Sequence, residues 1–347
     1  MAKKSVKNPS LTSIAGHSNL TLIDVAKLAG VSPITVSRAL HRPEIVSESA
    51  REKVMAAVKA TGYVPNMLAG GLASNKSRLV AIFVPTIAHS IFADTVQALI
   101  DQLTAAGYQT MMGLTGYSPE QEEQLLEAIL GRRPDGIVLT GTLHTEESRN
   151  RLSRSSIPVV EAWELGSKPI DMQVGFSHEE VGRAIAEHLY HKGYRRFAQV
   201  SVNDIRALKR GNALLDQLAV RGITDVPTEI LPAPATLLSG REGLRQLQSK
   251  GALPEVVVCS SDTVAQGILA EAASQGIKVP EQLAVMGFGD LSSAAHVYPA
   301  LSTVNVGGAR MGKLIAQSLL QRLQNLSTAS EPVHLDTGFT IIERSTT

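Results

Sequence analysis

The sequence predicts a small all-α head carrying a helix-turn-helix, followed by an α/β body of two doubly wound lobes. Three observations lead there. Residues 1–76 carry ten Lys/Arg against four Asp/Glu, a balance of +6, whereas the remainder carries 23 against 28, a balance of −5. A basic head on a mildly acidic body suits a polyanionic partner, although a solvated basic tail has the same composition. Three short helical patterns crowd into residues 20–62. From Leu79 onward short apolar runs alternate with amphipathic stretches, the mark of parallel α/β architecture, and roughly ten such units exceed one sheet.

At 347 residues, 44% apolar and 19% charged, the chain has ample core and is neither disordered, collagen-like nor a disulfide scaffold. Its one cysteine, Cys259, precludes an intrachain disulfide. No apolar run approaches the ~20 residues of a membrane span, and the first 19 residues lack the apolar core of a signal peptide. The expectation is therefore a cytoplasmic protein with no membrane partner. Its parts are a flexible arm (1–19), the helix-turn-helix (20–62), a hinge helix and linker (63–77) and the body (78–347).

The head reads TLIDVAKLAGVSPITVSRAL over 21–40. Helices are expected at 22–29 and 33–40. The small Ala26 lets them cross closely, Gly30 permits a left-handed turn residue, and Val36 plugs the core between them. Ser32 caps the second helix and Pro33 suits its first turn. That helix turns Pro33, Ile34, Thr35, Ser37 and Arg38 toward a major groove, with Arg38 the candidate for a guanine edge. Ser47 caps a third helix, 48–60, which Gly62 ends. A helix–Gly–helix segment also arises by chance in enzymes, but here it lies inside the basic head. In YVPNMLAGGLA (63–73), Pro65-Asn66 opens a short helical pattern that Gly70 and Gly71 weaken by about 1 kcal/mol each. Leu72 on such a helix could wedge into a minor groove and kink the duplex; the alternative is a plain linker.

In the body, strands are expected at 79–84, 108–114, 136–140, 158–161, 196–201, 255–260 and 283–288. Helices are expected at 91–106 and near 119–131, 178–192, 205–221, 262–275 and 308–325.

The head, VSESAREKV and GYVPNMLAGGLA closely resemble the LacI/GalR family of bacterial transcriptional regulators. So do VGFSHEEVGR (174–183), CSSDTVAQG (259–267) and VMGFGDLSSAAHVYPALSTV (285–304). The likeness spans about 20–342. GYQTMMGLTGYSPEQEEQLLE (107–127), LTGTLHT (139–145), IPVVEAWE (157–164) and LDTGFTIIER (335–344) look closest to its gluconate and ketogluconate regulators. The resemblance implies lobes like those of periplasmic sugar-binding proteins, one at about 78–176 and 306–330, the other at 177–305 and 331–342. It implies a nucleoid-associated homodimer on palindromic operator DNA, with Thr21, Ser32, Asn66, Ala69 and Leu72 among the DNA contacts. It also implies a small-molecule effector in the interlobe cleft and no cofactor.

Carried over residue by residue, Arg206, five residues before Gly211, falls where the family grips its effector. A guanidinium fork suits the carboxylate of a sugar acid, and a surface salt bridge is the alternative. Ser90 and Phe92 follow the first strand. Tyr117, Thr142, Glu161 and Trp163 follow later ones. Ser261 and Asp262 match a pair that is commonly Asn-Asp. Asp290 stands one residue beyond the usual acidic position, which is Gly289 here. Ala235 replaces an aromatic wall, which favours a smaller or open-chain acid over a pyranose. A neutral sugar or a nucleoside remains the alternative effector.

GGARMGKL (307–314) nearly matches a phosphate-binding loop but has Leu314 where Ser or Thr would hold magnesium. The nine histidines show no HExxH-type spacing, and Cys259 lies in an apolar run where a thiol is inert. Two other readings remain: a sugar-binding protein without a genetic role, which has no use for residues 20–73, and an α/β enzyme acting on a sugar. The expectation is a repressor released by a sugar acid, with no catalytic residue and no metal.

Overall fold

A computed structural model describes residues 20–64, 76–88, 90–251, 253–324 and 333–347. The chain divides into two units, 1–75 and 76–347.

In the first unit, helices α1 (Leu22–Ala29), α2 (Pro33–His41) and α3 (Glu48–Thr61) enclose a core of Val25, Ala26, Val36, Ala39, Val54, Ala57 and Tyr63. The Asp24 carboxylate accepts from the backbone N–H and hydroxyl of Thr21 at 2.9 and 2.6 Å, tying down the start of α1. Those bonds hold the Asp24 pKa below its usual value. Gly30 (φ 65°) closes α1, and Ser32 Oγ accepts from Thr35 N at 3.2 Å. Gly62 (φ 65°) ends α3. Ser47 sits at the N-cap of α3 without a side-chain hydrogen bond, so the expected cap there is positional only.

The second unit has two parallel sheets. Lobe one contains β1 (Leu79–Val84), β2 (Gln109–Leu114), β3 (Gly136–Thr140), β4 (Val159–Ala162), β5 (Met172–Gly175) and β11 (Val333–Asp336), in the order β11-β5-β4-β3-β1-β2. Lobe two contains β6 (Phe197–Val202), β7 (Thr228–Leu231), β8 (Val256–Cys259) and β9 (Ala284–Met286), in the order β7-β6-β8-β9. Strands β10 (Thr303–Asn305) and β12 (Thr340–Ile342) form an antiparallel ribbon. The central strands are buried on both faces; β1 (LVAIFV) and β8 (VVVC) read as unbroken apolar runs, while β6 (FAQVSV) also buries Gln199 and Ser201.

Helices α4 (Ala93–Ala105), α5 (Pro119–Leu130) and α6 (Glu146–Arg154) connect lobe-one strands. Helices α7 (His178–His191), α8 (Ile205–Val220), α9 (Leu237–Lys250) and α10 (Asp262–Ser274) serve lobe two, and α11 (Gly308–Gln324) returns to pack on α4. At Gly312 an added Cβ would lie 2.2 Å from the Thr95 carbonyl oxygen. The glycines of the GGARMGKL segment therefore include one that a close helix crossing requires. Strand β11, placed with lobe two from sequence, pairs in parallel with β5 of lobe one. The chain end reaches lobe two instead, where Val285 N donates to Thr346 O at 2.8 Å. Among the described residues no helix is long and apolar enough to cross a membrane.

Candidate functional site

In the head, Ser32, Pro33, Ile34 and Arg38 are exposed and Thr35 and Ser37 half-buried. Ile34 leaves 63% of its surface in solvent. Thr21 is exposed, with its hydroxyl donating to Asp24. Asn66, Ala69 and Leu72 lie outside the described residues.

Within the body, a narrow cleft opens at the carboxyl ends of the strands, where doubly wound sheets bind ligands. Lobe one contributes Ile91, Phe92, Tyr117 and Trp163; lobe two contributes Asp204, Arg206, Arg210 and Phe288. Tyr117 and Trp163 hold left-handed backbone angles (φ 65° and 71°), which a bulky residue adopts at a cost of about 1–3 kcal/mol. Both follow strand ends, and the turn aims their rings into the cavity wall. Trp163 meets Phe92 edge-on, with centroids 5.0 Å apart. Burial, helped by Asp204, pushes the Tyr117 phenol up to about 12.

The first turns of α8 supply the cations. The Asp204 carboxylate accepts from Arg206 Nη2 at 3.2 Å, and Arg206 stands over the rings of Phe92 and Tyr117 at 5.5 and 6.0 Å. Lys209 pairs with Glu164 of lobe one. Arg210 is buried, lies 3.6 Å over the Phe288 ring, and donates to Ser260 O at 2.7 Å. Its Nη1 approaches His178 Nδ1 at 2.9 Å. A guanidinium only donates, so Nδ1 is the acceptor and the imidazole is neutral. Burial, then the Arg210 charge, holds His178 well below its usual pKa. Burial likewise pushes Arg210 down, to about 9.

Of the nine effector candidates read from sequence, the cavity gathers Phe92, Tyr117, Trp163, Arg206 and Ser261. Ser90 begins a short 3-10 turn and is exposed beside it. Thr142 stands aside, its backbone N–H donating to Glu164 Oε2 at 3.2 Å. Glu161 is corrected: it does not line the cavity. Its carboxylate accepts from Ile170 N at 2.7 Å and faces His144 Nε2 at 3.4 Å. Asp290 is also corrected: it accepts from Arg344 at 2.7 Å and Asn305 at 2.7 Å, fastening the C-terminal segment. Asp262 accepts from Thr303 at 2.5 Å and Leu291 N at 2.7 Å, a role in joining loops beyond helix capping. Arg210, His178, Asp204, Lys209, Glu164 and Phe288 were not singled out. Arg210 carried a signal, standing four residues after Arg206 on one helix face; His178 carried none.

Residues 21–66 match the bacterial regulatory proteins of the lacI family, and residues 186–347 match a periplasmic binding protein-like domain. Over 343 residues, 98% of this chain and 99% of the relative, the sequence is 37% identical to the HTH-type transcriptional regulator GntR of Pseudomonas aeruginosa. The chain belongs to the LacI family. It is a DNA-binding transcriptional regulator and not an enzyme. Among solved structures of this LacI fold, a LacI-family regulator from Silicibacter pomeroyi is 32% identical with a TM-score of 0.88, covering 94% of this chain and 99% of that one. The lac repressor dimer bound to operator and an anti-inducer shares the fold, with a TM-score of 0.79 at 23% identity, covering 95% of this chain and 99% of that one.

Proposed function

We propose that this regulator is a repressor that a sugar acid, of the gluconate or ketogluconate type, releases from a palindromic operator. The observation that carries the effector class is the cluster of cationic groups from α8, Arg206 and Arg210, at a cavity that also has aromatic walls and hydroxyls. Guanidinium forks in a low-dielectric cleft favour a carboxylate over a neutral sugar. Ala235 puts a small side chain on the lobe-two part of that wall. The relatives named GntR agree with this reading.

The regulator acts as a homodimer in the cytoplasm, two heads reading two half-sites. Support comes from the sheet edges β2 and β7, which leave Met112, Leu114 and Ile230 exposed, together with Leu237 and Leu238 at the start of α9. An apolar sheet edge needs covering, and the lac repressor of the same fold was solved as a dimer on operator. Arg38 reads a base edge, Leu72 wedges the hinge into the minor groove, and lobe motion on effector binding alters the spacing at the start of the body. Such coupling is typically worth about 1–3 kcal/mol.

The test is fluorescence anisotropy of an operator duplex titrated with gluconate, for the wild type and Arg206→Ala. The wild type releases DNA; Arg206→Ala binds the same DNA and needs much more gluconate to release it. Unchanged calorimetric affinity for gluconate in Arg206→Ala removes that residue from the site.

A further inference from the structure

We propose that Arg210, and not Arg206, holds the effector's carboxylate, and that the pocket accepts an acid carrying a single negative charge. This rests on the sugar-acid reading above and specifies how that site selects.

The argument is a count of charges. Arg206 already has a counter-ion in Asp204, on the residue that caps its own helix. Lys209 has one in Glu164 across the cleft. His178 is neutral. Arg210 lines the same cavity, is only 8% exposed, and forms no direct ion pair with any described carboxylate; the Asp204 charge, already engaged by Arg206, reaches it only at longer range and does not offset its burial. Its partners are a neutral imidazole, the face of Phe288 and two backbone carbonyls, those of Ser260 and Arg206. A guanidinium has five N–H groups; these contacts use three and leave two. Ser260 Oγ, on the same wall, has no hydrogen-bond partner.

A buried cation without a directly paired anion is costly, and burial lowers the Arg210 pKa for the same reason. A ligand carboxylate supplies the missing charge, with Ser260 as an additional donor. A second carboxylate or a phosphate on the ligand gains no such partner. It meets cations that Asp204 and Glu164 have already neutralised, and it gives up its hydration without compensation. Arg206, paired with Asp204 and standing over Phe92 and Tyr117, is left to orient hydroxyls.

The experiment is calorimetry on the full chain with three probes sharing one carbon skeleton: gluconate (one charge), glucarate (two) and glucitol (none). Variants are Arg210→Gln, Arg210→Lys and Arg206→Gln, each checked for melting temperature and operator binding. The wild type should prefer gluconate to glucitol by about 100-fold and to glucarate by about tenfold or more. Arg210→Gln should lose about 100-fold for gluconate and erase its advantage over glucitol. Arg206→Gln should weaken gluconate and glucitol in proportion. Arg210→Lys should keep part of the charge preference. Arg210→Gln binding gluconate within threefold of wild type overturns the assignment, as does glucarate binding as tightly as gluconate. The glucarate comparison needs no variant, so it decides the charge rule even if Arg210→Gln does not fold. A wild type that binds glucitol but no aldonate overturns the sugar-acid reading itself, a distinct outcome.

Discussion

Gly182→Ala is the substitution that ties the helix packing to the pocket. Gly182 lies on α7 where it crosses α8. An added Cβ would stand 2.1 Å from the Arg210 carbonyl oxygen, 3.0 Å from Leu214 N and 3.1 Å from Ala213 Cβ. An ordinary carbon–oxygen contact is about 3.3 Å or more, so the helices must part by roughly 1 Å. The nearest atom is backbone, and no rotamer change can move it aside. Alanine improves helix propensity by about 1 kcal/mol, while overpacking costs about 1–3 kcal/mol or more. The net effect is a loss of up to about 2 kcal/mol, or several degrees in melting temperature. Because the displaced backbone is that of Arg210, gluconate affinity should fall as well. The head is a separate unit with its own core, so operator affinity should hold. Gly251→Ala, where an added Cβ meets nothing within 4 Å, is the control and should change little. Thermal melting, calorimetry and operator anisotropy read the three quantities. A Gly182→Ala protein that melts at or above the wild-type temperature and still answers gluconate refutes the packing argument.

Three further outcomes are expected. His144 bonds to Glu122 at 2.5 Å and faces Glu161; burial opposes its charge, but the two carboxylates outweigh burial and push its pKa to about 9. An unfolded histidine releases its proton near 6.5, so this stabilisation is complete below pH 6.5 and lost as pH rises through 9. It is on the order of 3 kcal/mol at most, and denaturant melts of wild type and His144→Gln at pH 6 and pH 9 should differ much more at pH 6. Leu72→Ala should weaken operator binding far more than binding to random duplex, by gel shift at fixed salt; equal losses contradict the wedge. Arg38→Ala should cost about 1–3 kcal/mol and relax preference at one base pair, measured by anisotropy across single-base operator variants.

The head was legible because its determinants are local. Capping, the Gly30 turn and the spacing of Ala26 and Val36 act within one or two helical turns, and the structure follows them. The central strands were legible because both their faces are buried. Several elements were not foreseen, the short β10, β11 and β12 among them. Strands β5 (MQVG) and β7 (TEIL) have four residues and mixed polarity. Helix α6 buries only Ser148 and Leu152, and α9 carries two glycines required by crowding rather than propensity, Gly240 against α10 and Gly243 against Val200. The lobe assignment of β11 depended on which edge lay open, a tertiary fact absent from four residues. In the pocket, aromatic positions after strand ends were readable from topology. Glu161 was misread because it lies inside β4 with its carboxylate taken up by Ile170 N and facing His144, while Glu164 beyond the strand reaches Lys209.

The most direct measurement captures fragments of the source genome on the purified full-length protein at low ionic strength, then titrates gluconate, ketogluconate and glucitol against the retained duplex. A discrete palindromic fragment, held at nanomolar concentration and released by an aldonate but not by glucitol, is the predicted result. Retention of no fragment above random duplex, or a retained fragment indifferent to every sugar acid, contradicts the account.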